Sequence, residues 1–512
     1  MDAPNPDPAA IAKRIGLIAG PVAALLCYFW LPESYVAPDG RVIAFTHAGR
    51  AALAMMCWMA LWWMTEAAPI EATALLPVVA FPLLGVASLG KTTAAYASDV
   101  VFLFLGGFIL AAAIQRWGLD RRIAFLTLRL VGTRPERIVG GLMFATAFIS
   151  MWVSNTATAA MMVPIAQSII LLYRSSAPAD GVRDAASARA HRNFALALLL
   201  SIAYAASIGG IGTIVGSPPN GIAVRFIQQT YGREVSFLQW MAIGVPVVLV
   251  FLPLAWLLLT RILFRSALGE LAHGRQWIDS QWQGLGALSR GERVTLAVFA
   301  LTVLLWMTRP LLVAWPIGGV APFAGLSDAG IVVAAALVLF LVPVDKATRT
   351  YAMDWRTAQT LPWGVLILFG GGLTLAAAIE ATGVADFIGS QARILGGWPV
   401  WAVLLAVVAA TVFLSEVTSN TAQVATMIPL LAAMAPALGV DPLLLVVACT
   451  VAASSAFMLP VGTPPNAIVF GTGLLTIPQM CKAGFWLNLI GIVLVTVFAC
   501  TLLPLIPSTA AL

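Results

Sequence analysis

The chain has 512 residues, of which 61% are hydrophobic and 10% charged. A soluble domain holds about 45–50% apolar and about 25% charged residues. Soluble enzymes, secreted disulfide scaffolds and disordered chains are therefore excluded, and the apolar surface requires a bilayer. The net charge of +6 is spread over short connections with no basic patch interleaved with aromatics, which argues against nucleic acid as a partner.

A helical span needs about 20 apolar residues. Lys13 and Arg14 precede an apolar run that is too long for a signal peptide and lacks a small-residue cleavage site, so it reads as a retained first span at 15–32. Further spans are predicted near 49–65, 70–89 and 101–115. Long stretches follow at 139–173 and 193–228, then spans near 240–262, 294–315, 328–344 and 362–380. The chain closes with stretches at 397–437 and 442–475 and a span at 483–506. Residues 139–173 as one helix would measure about 50 Å against an apolar core of about 30 Å. They read instead as a re-entrant hairpin with its tip near 153–157, and 397–437 reads the same way. With both segments returning to their side of entry and the N-terminus in the cytoplasm, 21 of the 28 basic residues fall on the cytoplasmic side. Arg116, Arg122, Arg183, Lys346, Arg356 and Lys482 are among them. The C-terminus then lies on the opposite side.

An internal repeat organises the chain. GGFILAAAIQRWG (106–118) matches GGLTLAAAIEATG (371–383) at an offset of 265. Ser154-Asn155-Thr156 matches Ser419-Asn420-Thr421 at the same offset. Gly216-Ser217-Pro218-Pro219-Asn220 matches Gly462-Thr463-Pro464-Pro465-Asn466 at 246, the difference being a basic loop near 174–192. The topology makes the second copy inverted. Inverted repeats with interrupted helices mark secondary transporters, whose sites lie near the membrane midplane.

One Ser-Asn-Thr in an apolar run reads as glue between helices; two symmetric copies, each paired with a Pro-Pro break, read as a site. Paired prolines break a helix, and its exposed N–H groups attract anions. Freed carbonyls, hydroxyls and amide oxygens suit Na⁺. None of the four motifs holds Lys or Arg, so a multivalent anion needs co-bound cations to balance its charge. Glu416 is the one acid inside a hairpin, a functional candidate or a cap for helix ends. Glu66 and Glu71 flank a short turn and read as solvated. The five cysteines (27, 57, 449, 481 and 500) read as small apolar core residues, and His47, His191 and His273 fall in polar connections. No nucleophile–base–acid set lies at membrane depth, so the chain does not read as an enzyme.

MWVSNTATAAMMVPI (151–165), EVTSNTAQVATMIPL (416–430), GTIVGSPPNGI (212–222) and LPVGTPPNAI (459–468) resemble the divalent anion/sodium symporter family. The resemblance implies an all-α integral membrane protein with about 11 transmembrane helices, two re-entrant hairpins, a homodimer and elevator transport. It divides the chain into scaffold segments at 1–100, 101–138 and 239–396, and transport segments at 139–238 and 397–512. It also implies a substrate site of Ser154, Asn155, Thr156, Ser419, Asn420, Thr421, Thr463 and Pro464. One Na⁺ would be held by Ser150, Ser154, Asn155 and Gly216, and a second by Ser415, Thr418, Asn420 and Gly462. The function expected is import of a small divalent anion, a C4-dicarboxylate such as succinate, malate or fumarate, with Na⁺ across the plasma (inner) membrane. Sodium-independent exchange and citrate or sulfate transport are alternatives within the family, and an anion channel is one outside it.

Overall fold

A computed structural model of the chain describes residues 8–36, 41–175, 185–266, 268–270, 274–316, 320–345, 347–392 and 397–501. Arg183, His273, Lys346 and much of the 174–192 loop lie outside the described residues. Among those described, eight helices are long and apolar enough to cross a membrane, from Ala12–Trp30 to Ile477–Thr501, and four shorter apolar helices accompany them. Two small antiparallel ribbons, Ser34–Val36 with Val42–Ala44 and Pro343–Asp345 with Thr350–Tyr351, are the strands described.

At both positions expected to form hairpins, two helices are joined by a short turn. Pro135–Ser150 and Asn155–Ser175 make the first, Val400–Ser415 and Asn420–Met434 the second. Each half runs through the same order: a helix carrying the paired glycines (Asp99–Arg116; Trp363–Ala381), a short helix (Leu119–Val131; Val384–Ala392), a hairpin, an interrupted helix and a closing helix. The halves interlock through those glycines. A Cβ on Gly106 would lie 2.7 Å from Val332 of the second half, and one on Gly371 would lie 2.4 Å from the Ala74 carbonyl of the first. Ala186–Gly210 runs through the centre and is almost wholly buried, whereas Arg290–Val313 and the N-terminal helix turn most of their surface outward.

Two expectations need correction. The span at 70–89 is not one helix but Ile70–Thr73, Leu76–Leu83 and Leu89–Ala94. Pro77 and Pro82 remove backbone donors, and Gly85 turns the chain at φ 64°. The paired prolines do not break a helix internally either. The preceding helices stop upstream, at Gly210 and Ala453, and Pro218 and Pro464 open the next helices at their first position, where a missing N–H costs nothing.

The ion pairs sort by side. Arg116 pairs with Asp354, Arg122 with Glu292, Arg129 with Asp279 and Arg134 with Glu270, all within connections assigned to one face. Arg225 pairs with Asp99, and Arg309 with Glu234 and Asp328, all on the other. None of these pairs joins connections assigned to opposite faces, which supports the grouping of loops on which the topology rests.

Candidate functional site

Ser154 and Ser419 sit at the turns of the two hairpins, so Asn155-Thr156 and Asn420-Thr421 form the first turns of the returning helices. Ser217 and Thr463 sit just before the helices opened by Pro218 and Pro464. The first N–H groups of a helix have no partner inside it. All four helix starts border one cavity of about 1100 Å³, which takes in Ser154, Asn155, Thr156, Ser419, Asn420, Thr421, Thr463 and Pro464. Every expected substrate residue is thus brought together. Among the described residues lining the cavity, the charged ones are Lys13 and Glu66, both far along the chain from the motifs. The hairpin tips themselves are neutral.

The irregular stretches between half-helices are held in matching fashion. Asn220 Nδ2 donates to the carbonyls of Gly210 (2.9 Å) and Thr213 (2.7 Å). Asn466 Nδ2 donates to those of Ala456 (3.2 Å) and Leu459 (3.0 Å). All three positions correspond at the 246 offset. These asparagines were singled out only as motif letters; the structure gives them the work of fixing the breaks.

Three residues of the first expected cation set, Ser150, Asn155 and Gly216, are brought together. One end of the Asn155 amide faces three oxygens: Ser150 Oγ at 2.6 Å, Ala206 O at 3.0 Å and Gly216 O at 3.2 Å. Ser150 Oγ also lies 2.8 Å from Ala206 O. With its NH₂ turned inward the amide donates to these oxygens. With Oδ1 inward, four oxygens converge with one hydroxyl proton among them, a donor set suited to a hard cation. Ser150, Asn155 and Gly216 therefore fit Na⁺. Ala206 was not anticipated, because a backbone carbonyl leaves no mark in a sequence. Ser154 Oγ is engaged with the Ala157 N–H at 3.4 Å instead.

The second set is built differently. Ser415 Oγ lies 2.6 Å from Gln423 Oε1, and Thr418 Oγ1 lies 3.4 Å from the same oxygen. Gln423 in turn donates to Thr411 O at 3.0 Å. The Asn420 Oδ1 is buried without a hydrogen-bond partner among the described residues. Gly462 packs on Glu416, where a Cβ would come within 3.0 Å of Oε2. Gln423 is the residue that sequence reasoning missed. It stands where the first half has Thr158, and that mismatch was the available signal.

Glu416 is buried and accepts from the N–H groups of Phe457 (2.7 Å), Met458 (2.9 Å) and Leu459 (2.9 Å) and from Asn488 Nδ2 (2.7 Å). It caps the free N–H groups beyond the helix ending at Ala453, the structural one of its two readings. Its counterpart at the 265 offset is Met151, whose carbonyl accepts from Thr213 Oγ1. Glu66 is not simply solvated, since it lines the cavity and pairs with Lys13 at 3.3 Å. Glu71 lies against Gly364. Of the cysteines, Cys449 alone is buried, and Cys27 and Cys57 face each other with Sγ atoms 3.7 Å apart.

Residues 19–506 match the model of the sodium:sulfate symporter transmembrane region. The chain is 40% identical over 496 residues to the sodium-dependent dicarboxylate transporter SdcS of Staphylococcus saprophyticus, covering 96% of this chain and 92% of that one. It is 39% identical over 501 residues to the SdcS of Staphylococcus aureus strain RF122, covering 98% and 93%. Among solved structures, the YdaH transporter of Alcanivorax borkumensis matches with a TM-score of 0.58 at 16% identity, over 98% of this chain and 100% of that one. That likeness concerns the fold alone.

Proposed function

The chain belongs to the sodium:sulfate symporter family, and from that premise we propose that it is a secondary active transporter importing a small dicarboxylate with Na⁺. The observation that carries the reading is the meeting of four neutral helix starts on one cavity, beside an oxygen set that fits a cation. The N–H groups and hydroxyls of Ser154, Thr156, Ser419, Thr421 and Thr463 would hold the two carboxylates. Ser150, Asn155 and Gly216, joined by the Ala206 carbonyl, would hold one Na⁺. Ser415, Thr418, Asn420 and Gln423, with Gly462 beside them, would hold a second. Bound Na⁺ supplies the positive charge that the tips lack, so the dianion and its cations stabilise one another, and that mutual dependence is the coupling.

The finer architecture is part of the same proposal. It comprises eleven transmembrane helices in two inverted repeats, with scaffold segments 1–100, 101–138 and 239–396 holding a homodimer together. Segments 139–238 and 397–512 travel as a body, elevator fashion. The face rich in arginine is cytoplasmic by the positive-inside rule. Gln115 and Thr360 of the cavity wall neighbour Arg116 and the Arg356 turn of that face in the chain, which supports a cavity open inward.

The test is uptake of labelled succinate into proteoliposomes with and without a sodium gradient. Uptake that follows the gradient is expected. Equal uptake without it, driven by internal dicarboxylate, would replace symport by exchange, and passive conductance with no coupling would make the protein a channel.

A further inference from the structure

The cavity is far larger than a four-carbon dicarboxylate, so most of it is a vestibule between the hairpin tips and the surface. Its lining is mainly neutral, and a dianion crossing it loses water without gaining a partner. The one cation among the described lining residues is Lys13, paired with Glu66.

Two features bring this pair together. Gly16, one turn beyond Lys13, lies so close to the second helix that a Cβ would fall 2.0 Å from Thr65 Oγ1; at Gly20 it would fall 2.5 Å from Trp62. The N-terminal helix is therefore pressed against His47–Thr65 where that helix ends. Glu66 follows at once in the left-handed region, at φ 47°, a conformation that non-glycine residues adopt at a cost and that clusters at functional sites. That turn carries its carboxylate to Lys13. Both side chains are about half exposed, at 50% and 59%, so water reaches the pair and it opens readily.

We propose that Lys13 is a substrate-steering residue: at the vestibule's rim it exchanges the Glu66 carboxylate for a carboxylate of the passing dianion. The inference rests on the dicarboxylate reading above. Once released from Glu66, a cation beside a low-dielectric cleft raises the local concentration of anions, within a screening length of about 10 Å at 0.1 M salt.

The experiment is succinate transport in proteoliposomes under a fixed sodium gradient, measured from each face, with ionic strength varied by choline chloride. From the vestibule's face, Lys13→Gln should raise the half-saturating succinate concentration about threefold or more and flatten its dependence on ionic strength. Its maximal rate should be unchanged. Lys13→Arg should behave as wild type, and Glu66→Gln, which frees Lys13, should lower half-saturation. From the other face none of these should change. A structural role alone would not move the ionic-strength dependence. Wild-type half-saturation and salt dependence in both Lys13→Gln and Glu66→Gln would overturn the proposal. Should Lys13→Gln fail to reconstitute, Glu66→Gln decides alone. Wild-type protein that moves no dicarboxylate would overturn the parent reading as well.

Discussion

The two hairpin tips do the same job with opposite chemistry. In the first half the tip offers a backbone carbonyl, Met151 O, and the interrupted helix answers with a hydroxyl, Thr213 Oγ1. In the second half the tip offers a carboxylate, Glu416, and the interrupted helix answers with three backbone N–H groups, joined by Asn488 from the closing helix. One joint is neutral, with Ser150 Oγ adding a bond to the Ala206 carbonyl. The other is a buried charge with all its partners supplied. The two halves thus follow the same element order while the second alone places a carboxylate at this joint, beside the oxygens proposed to hold a cation. The halves are equal in shape and unequal in electrostatics.

The comparison breaks first at what the halves share. Asn155→Ala and Asn420→Ala each remove a side chain from a tip, and each should cut succinate uptake about tenfold to a hundredfold while gel filtration shows an unchanged fold. If either variant transported at the wild-type rate, that half would have no part in the site.

Next comes what separates them. Glu416→Gln leaves backbone donors facing an amide, and it should lower stability by about 3 kcal/mol, read as thermal unfolding in detergent. Thr213→Val, at the neutral joint, should cost about 1 kcal/mol. Equal losses would mean that the charge adds nothing to the joint.

The short helices before the hairpins differ as well. Asp120 on Leu119–Val131 is buried, whereas Asp386 on Val384–Ala392 is exposed. Burial pushes the Asp120 carboxyl from 3.8 up to about 6. The folded state therefore holds that proton longer than the unfolded chain. The contribution to stability is fullest below pH 4 and is lost as pH rises through 6, by about 3 kcal/mol. Unfolding temperature followed from pH 4 to 7 should lose this slope in Asp120→Asn and keep it in Asp386→Asn.

The smallest effect is expected at Gln423. Gln423→Thr restores the residue of the first half, Thr158, and removes an oxygen from the second proposed cation set. The half-saturating Na⁺ concentration should rise about threefold, near 0.6 kcal/mol, with succinate half-saturation at high Na⁺ little changed.

The hairpins, the repeat and the convergence of the four motifs were legible because each departs from its surroundings. Serine, asparagine and paired proline inside apolar runs are costly unless used, and two fixed offsets tied them together. The broken 70–89 span was not legible, since its apolar run continues through Pro77, Pro82 and Gly85. Glu66 looked like any loop acid because its partner, Lys13, is 53 positions away and the helix contact that brings them together depends on Gly16 and Gly20. Asn488 and Gln423 escaped notice because each acts on a residue of another segment or turn, in a geometry that hydropathy does not encode.

Each of the four helix starts bordering the cavity brings main-chain N–H groups that have no partner within their own helix. Main-chain N–H groups survive almost any substitution, so their share of the proposed carboxylate recognition does not depend on side-chain identity. The walls around them are side chains, Val153, Val215, Val417 and Val461 among them, whose bulk sets the shape of the space. Such a scaffold can change the carbon skeleton it carries by drifting at its valines, with the chemistry of charge recognition left untouched. Cargo diversification within this architecture then needs few substitutions and no new site.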